Sequence, residues 1–155
     1  MYSTPRERET LLKWMGTARW TYNRCLDLIK EREHIPRKQL RKLVINNDNY
    51  EFENTWVKDT PPGIRDRAFS ELMTAYKTNF AKRKKNKNFK FEIKKRSKKY
   101  KSQTITVEKR DFIRDGGEYA FLKHIKTSES LPEINNAVNI TRDRLGRFYF
   151  CVCVP

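Results

Sequence analysis

The N-terminal part of the chain has the pattern of one long amphipathic helix. Apolar residues from Leu11 to Ile29 recur at intervals of three and four positions, so they share one helical face. Before them, Thr4-Pro5-Arg6-Glu7 offers an N-cap threonine, a proline at the first helical position and a glutamate at the third, which is a capping box. The sequence therefore predicts a helix that begins after Thr4 and ends before Pro36.

Two more helices are predicted before residue 88. The first covers about residues 37–45 and is interrupted by Asn46-Asn47-Asp48-Asn49. The second opens at Thr60-Pro61-Pro62, and its apolar stripe runs from Ile64 to Phe80. On its polar side we place three cations: Arg65, Arg67 and Lys77.

After residue 88 apolar and polar residues alternate, which is the period of a β-strand. The last strand, Phe148 to Val154, is apolar on both faces, so we expect it to be covered on both, with Cys151 and Cys153 pointing to one buried side. Turns are predicted at Asp115-Gly116-Gly117 and Asp143-Arg144-Leu145-Gly146. The remaining extended segments are Phe89 to Lys94, Gln103 to Val107, 111–114, Tyr119 to Ile125 and Ala137 to Thr141.

These two patterns predict an α+β fold in two parts: a helical domain over residues 1–84, and a basic connector with a β domain over 85–155. The 155 residues are 37% hydrophobic and 12% aromatic, which is too aromatic for a disordered tail. No stretch approaches the roughly 18 apolar residues of a membrane span, and no signal-peptide core is present. We therefore expect an intracellular protein of the cytoplasm or nucleus.

The charge of the chain is concentrated in one segment. Residues 82–101 hold twelve Lys or Arg and one acid, Glu92, and so carry +11 of the total +16. Cations on a phosphate backbone release counterions and bind strongly, and aromatic residues among them suit nucleic acid. Phe89, Phe91 and Tyr100 interrupt the run, which favours a folded, nucleic-acid-facing segment over a solvated linker.

Metal and catalytic centres are not indicated. The three cysteines and two histidines show no zinc-ligand spacing, so we expect no metal and no cofactor in this chain. The acids of the predicted helix surfaces and turns do not form the clustered carboxylates of a two-metal nuclease, so the chain by itself is not expected to be an enzyme. These acids are Glu7, Glu9, Asp27, Glu31, Glu33, Asp111, Asp115 and Asp143.

Four segments in order resemble the N-terminal part of the TnpB transposon proteins, and most closely their eukaryotic and viral relatives, the Fanzor proteins. They are ARWTYNRCLDLIKE with Arg19, Tyr22 and Asn23, TPPGIRDRAFSELMTAYKTNF, KFEIKKRSKKYKSQTITV, and VNITRDRLGRFYFCVCV. Members of that family are RNA-guided DNA endonucleases. They have a recognition lobe of helices inserted into an oligonucleotide-binding-type β-barrel, the wedge domain, followed by a RuvC-like nuclease.

The resemblance implies that residues 4–84 are recognition helices and that 88–155 form most of the wedge, an antiparallel, partly open barrel. The first wedge strand and the nuclease have no counterpart in this sequence. The expected partners are guide RNA and double-stranded target DNA, without a membrane, and self-association through the exposed last strand is a further expectation. A free-standing basic RNA-binding adaptor is the alternative, and a membrane-surface module ranks third.

The candidate nucleic-acid-binding residues lie on the third helix, in the basic segment and at the start of the next strand. The resemblance places Gln103 near the flanking-motif duplex, where its amide could pair with adenine. An ordinary exposed strand residue explains Gln103 equally well, and Trp14, Trp20 and Trp56 are expected to pack in the core rather than stack on bases. The full set is Arg65, Arg67, Lys77, Lys82, Arg83, Lys84, Lys85, Lys87, Lys90, Lys94, Lys95, Arg96, Lys98, Lys99, Lys101, Ser102, Gln103 and Thr104.

Because no two-metal carboxylate set is recognisable, the purified chain should leave plasmid DNA intact with magnesium, guide RNA or both. Gel analysis of supercoiled plasmid checks this. Specific metal-dependent nicking that a substitution within residues 1–155 abolishes would contradict it.

Overall fold

A computed structural model describes residues 1–32, 34–46, 52–112 and 121–154. Helices occupy the N-terminal part and a small sheet the C-terminal part, so the α+β class is confirmed. The helices are α1 (Pro5–Glu31), α2 (Arg37–Ile45), α3 (Pro62–Lys85), α4 (Lys109–Phe112) and α5 (Phe121–His124), with a 3₁₀ helix at Phe52–Asp59. The strands are β1 (Gln103–Val107), β2 (Val138–Arg142) and β3 (Phe148–Cys151).

Helix α1 begins as its sequence signals predict. The backbone N–H of Thr4 donates to Glu7 Oε2 at 2.7 Å, and the N–H of Glu7 donates to Thr4 Oγ1 at 3.3 Å. The capping box therefore satisfies two of the N–H groups that a helix start leaves unpaired. The predicted ends of α2 and the start of α3 are also confirmed. Within the predicted break after α2, residues 47–49 lie outside the described residues, as does Glu33.

The three long helices share one core. Leu11, Leu26 and other apolar residues of α1 pack against the stripe of α3, where Ile64 and Leu72 are buried. The same cluster includes Val107 of the sheet and continues through β2 and β3. Helices and sheet are thus packed together, while the division into two domains at residue 84 stays a prediction.

The prediction that Arg65 lies on the polar face of α3 is wrong. Its side chain is 0% exposed, and its guanidinium donates to the carbonyl of Ile45 at 2.8 Å and to that of Thr60 at 3.3 Å. Arg65 therefore donates to a carbonyl at the end of α2 that the helix itself leaves unpaired, and fixes the residues that precede α3. The helical period alone cannot distinguish such a buried cap from a solvent-facing cation, whereas Arg67 on the same helix is exposed.

The three strands form an open antiparallel sheet in the order β1-β2-β3. Ile140 of β2 pairs with Ile105 on one side and Phe150 on the other. The predicted Gln103–Val107 strand and the hairpin of the last two strands are confirmed. Closure into a barrel is not confirmed, because among the described strands β1 and β3 are both sheet edges.

Three of the predicted extended segments are wrong. Residues 89–94 belong to no strand in the described ranges, and the side chains of Phe91 and Ile93 pack against the helices and the core. Tyr119 to Ile125 contains the short helix α5, and 111–114 begins inside α4. The predicted turn at 115–117 lies outside the described residues.

The last strand is covered on only one face. Phe148 is buried, while Tyr149 is 42% exposed and Cys151 and Cys153 are exposed, so the expectation of two covered faces is wrong. The described elements supply a single layer over the sheet, on the side of Phe148. Self-association through β3 remains a prediction. None of the helices in the described ranges has the length and apolar composition that crossing a membrane requires.

Replacing Arg65 with Ala should lower the free energy of unfolding by about 3 kcal/mol, since it removes two buried hydrogen bonds and leaves a cavity. Arg67→Ala, on the exposed side of the same helix, should change it by less than about 0.5 kcal/mol. Urea unfolding followed by circular dichroism measures both. Equal effects of the two substitutions would contradict a structural role for Arg65.

Candidate nucleic-acid interface

The basic segment, residues 82–101, folds back over the helices that precede it. Lys82, Arg83, Lys84 and Lys85 form the last turn of α3, where cations interact favourably with the negative end of the helix dipole. After Asn86 the chain reverses and runs back across α1 and α3. The segment is therefore folded onto the protein rather than a free linker.

An aromatic cluster holds the first part of the returning chain. The ring of Phe91 lies 4.9 Å from that of Phe80 and 5.8 Å from that of Tyr76, both on α3. The Lys82 ammonium lies 5.7 Å from the ring centre of Phe89. Two of the aromatic residues that interrupt the basic run thus anchor it to α3, and Tyr100 is exposed.

Asn23 of α1 holds the middle of the segment through its backbone. Its Nδ2 donates to the carbonyl of Arg96 at 2.9 Å, and its Oδ1 accepts from the N–H of Arg96 at 2.8 Å. One side-chain amide thereby satisfies both backbone groups of one residue, as a neighbouring strand would. Asn23 therefore holds this part of the chain against α1 without a strand partner.

The side chain of Arg96 joins the two long helices. Its Nη2 lies 2.8 Å from Glu71 Oε2 of α3, and its guanidinium carbon lies 3.9 Å from the ring centre of Tyr22 of α1. Burial raises the pKa of the Tyr22 hydroxyl, so the ring beneath the cation stays neutral. Next to it, Lys95 Nζ lies 2.8 Å from Asp27. Both cations therefore have carboxylate partners inside the protein.

The other cations of the segment are exposed. Lys90 lies 3.8 Å from Glu92, a contact that solvent screens. In the described part of the chain, no acid pairs with the remaining ones. They are Lys87, Lys94, Lys98, Lys99 and Lys101, together with the four at the end of α3. This exposed set is available to an anionic partner without breaking an internal ion pair.

Gln103 joins the basic segment to α1. Its Oε1 accepts from Arg19 Nη1 at 3.1 Å, and its Nε2 donates to the carbonyl of Lys98 at 3.0 Å. Base recognition by this amide stays a prediction, and it would require one of these contacts to open. Of its neighbours, Ser102 is exposed and Thr104 Oγ1 lies 2.9 Å from Thr141 Oγ1 across the sheet.

An open groove of about 1430 Å³ runs along α1 beside this junction. On one wall the rings of Trp20 and Trp56 meet edge to face at 5.6 Å, and Trp56 is 42% exposed. Trp14 is 2% exposed and Trp20 is partly buried against the core, so the expectation of core packing is confirmed for these two residues and not for Trp56. The cations that line the groove are Arg6, Lys13, Arg19, Arg24, Lys98 and Arg142.

The structure separates the predicted residues of α3 from this groove. Arg65 is buried, and Arg67 lines a different depression with Arg41 and Arg110. Lys77 is exposed. Conversely, sequence reasoning did not assign Arg19, Asn23 or Arg142 to the interface. The signal for the first two was their polar character beside Tyr22 on an otherwise apolar stretch of α1.

Metal binding finds no support in the described ranges, where no three His, Cys, Asp or Glu residues come together. Burial raises the pKa of the Cys25 thiol to about 12, which keeps it protonated and unreactive at neutral pH.

The N-terminal part of the chain matches a known family. Residues 1–34 match the helix-turn-helix domain of the IS605 OrfB family. The matched region comprises α1 and the residues around its end, and so includes Arg19, Tyr22 and Asn23. No curated protein matches the chain. The match indicates a DNA-binding, transposon-associated protein.

Arg96→Gln should release the middle of the basic segment, because it removes the interactions with Glu71 and Tyr22. We expect faster hydrogen exchange at residues 93–97 and a decrease of about 1 kcal/mol in the free energy of unfolding, since both interactions are partly exposed. Lys94→Gln removes one neighbouring charge that has no internal partner and serves as the control. Unchanged exchange in Arg96→Gln would show that Asn23 alone holds the segment.

Proposed function

We propose that the chain, whose residues 1–34 match the helix-turn-helix domain of the IS605 OrfB family, is the nucleic-acid-binding part of an RNA-guided DNA endonuclease. In this role it grips guide RNA and target DNA and carries no nuclease centre of its own. The observation that carries the proposal is the basic segment, docked on the α1 region that matches the family and bordering the groove, whose lining includes six cations and four acids.

The arrangement supports phosphate binding by two adjoining surfaces. The exposed cations of the basic segment project from a backbone that Asn23 and Arg96 fix, so binding does not require the whole segment to become ordered. The groove adds cations from α1 and β2, including Arg24 and Arg142, along a second surface. Two adjoining cationic surfaces suit a protein that holds two nucleic-acid strands or duplexes together.

RNA-guided recognition divides the work between base pairing and protein. Pairing reads the target sequence, while the protein holds the heteroduplex through its backbone and shape. Lysines dominate the exposed part of the basic segment, and an ammonium binds phosphate as a point charge without base specificity. The composition of this surface therefore favours binding to the nucleic-acid backbone. Recognition of bases in a flanking motif would require residues with directional hydrogen-bonding groups, such as Gln103.

The alternative is a free-standing basic RNA-binding adaptor, which the concentration of +11 charge in residues 82–101 also suits. Exposed Trp56, beside Trp20 in the groove, offers an aromatic face for an unpaired base in either case. The two functions differ in their ligands: the nuclease part binds duplex DNA as well as structured RNA, and the adaptor binds RNA alone.

Replacing Lys94, Lys98 and Lys99 together with Gln should weaken binding to duplex DNA and to structured RNA by a similar factor for all sequences. The dependence of log K on log salt should flatten by roughly 0.7–0.9 for each phosphate that the variant no longer neutralises. Fluorescence anisotropy at several salt concentrations measures both effects.

The matched control replaces three exposed cations outside the segment, Lys30, Arg110 and Lys126, and should leave the slope nearly unchanged. An unchanged slope in the Lys94, Lys98 and Lys99 variant would contradict the phosphate-binding role of the segment. Binding of RNA without binding of DNA would favour the adaptor function.

A further inference from the structure

A tight turn between β2 and β3 brings two arginines together. At the turn, Gly146 has φ = 81°, a conformation that residues with a side chain rarely adopt. A Cβ atom at this position would lie 2.7 Å from Arg8 Nη2 and 3.4 Å from Arg142 Nη2. The glycine therefore leaves open the space into which guanidinium groups from α1 and from β2 converge.

The two guanidinium groups are close to one another. Nη2 of Arg8 and Nη2 of Arg142 both lie near the position that a Cβ atom of residue 146 would occupy. The distance between these two nitrogens therefore cannot exceed the sum of their distances to that position. Arg8 also lies over the ring of Phe148, with its guanidinium carbon 5.3 Å from the ring centre, which fixes its direction. Neither side chain is fully exposed to solvent, so water screens their mutual repulsion incompletely.

The acids next to these two arginines in the sequence are engaged elsewhere, and one of them, Glu9, lies 3.3 Å from Lys13 Nζ. Glu7 caps the N–H of Thr4, and Asp143 accepts from Arg147 Nε at 2.9 Å and from the backbone N–H groups of Leu145 and Arg147. Within the described ranges no carboxylate lies within ion-pair distance of Arg8 or Arg142. The Nε of Arg142 is moreover buried without an acceptor there.

A buried donor without a partner and two adjacent like charges are both unfavourable unless an anion joins them. We propose that Arg8 and Arg142 form a phosphate-binding site, and that its ligand is a phosphate group of a nucleic-acid strand. The assignment of the strand rests on the proposed function, whereas the anion site rests on the geometry around Gly146.

The chemistry of arginine fits this ligand. Guanidinium groups donate to phosphate oxygens in a planar fork at about 2.8 Å, and two of them can hold one phosphate from two sides. Arg142 also lines the groove along α1. A nucleic-acid strand that lies in the groove could therefore place one of its phosphates at this site. The site would fix one phosphate at a defined position, unlike the point charges of the lysine-rich segment.

The experiment uses the full chain with Arg8→Gln, Arg142→Gln and the double variant. Arg144→Gln is the matched control, because Arg144 is an exposed arginine of the same turn. Each single substitution should weaken DNA or RNA binding several-fold, and the double variant should be little weaker than either single one, since both residues hold the same phosphate. The salt slope should fall by roughly 0.7–0.9 in all three and remain unchanged in the control.

A second readout needs no nucleic acid. Inorganic phosphate or pyrophosphate should raise the melting temperature of the wild-type chain and of Arg144→Gln, and should raise that of the double variant by much less. Without added anion, the double variant should melt no lower than a few degrees below wild type, because relief of the repulsion offsets removal of the cation–π interaction with Phe148.

The outcomes separate the two proposals. If the wild-type chain binds no nucleic acid yet is stabilised by phosphate through Arg8 and Arg142, the anion site stands and its ligand is a free phosphate. If nucleic acid binds wild type, double variant and Arg144→Gln equally, with equal salt slopes, the site is refuted while the proposed function stands. Equal stabilisation of all variants by phosphate would likewise refute it.

Discussion

The attachment of Arg96 to Glu71, to Tyr22 and to the amide of Asn23 is the constraint on which the rest of the interface depends. The basic segment carries more charge than any comparable stretch of the chain, and such a segment left to itself repels and extends. Here a single residue is tied through its backbone to α1 and through its side chain to both long helices. That attachment holds the backbone from which the neighbouring exposed lysines project.

A second attachment, which is buried, supports the first. Arg65 ties the end of α2 and the approach to α3 together, so that α3 lies in a fixed position against α1. Because Glu71 is on α3 and Asn23 on α1, the docking of the basic segment requires this fixed arrangement. The two arginines thus have different surroundings. Arg65 lies among backbone carbonyls in the core, and Arg96 lies between an acid and an aromatic ring near the surface.

Much of the fold could be predicted because its signals are local. The capping box of α1, the proline starts of the helices and the turn with Gly146 each act within a few residues, and those elements appear where the pattern placed them. The errors concern interactions between distant parts. Nothing near Phe91 in the sequence reveals that its side chain packs on a helix, and nothing near Arg65 reveals that it is buried. For the site, the basic run was evident from composition. Its attachment through Asn23 could not be predicted, and neither could the proximity of Arg8 to Arg142, because these contacts join residues far apart in the sequence.

The packing of Arg8 on Phe148 has a consequence for the order of folding. Residues at the start of α1 complete their packing only when the last hairpin is in place, and the bridge between Tyr2 and Lys126 has the same long span. At a synthesis rate of about 5–20 residues per second, the start of α1 waits on the order of ten seconds for this partner. Interactions of this sequence separation slow folding, so the packing around Arg8 is expected to form late.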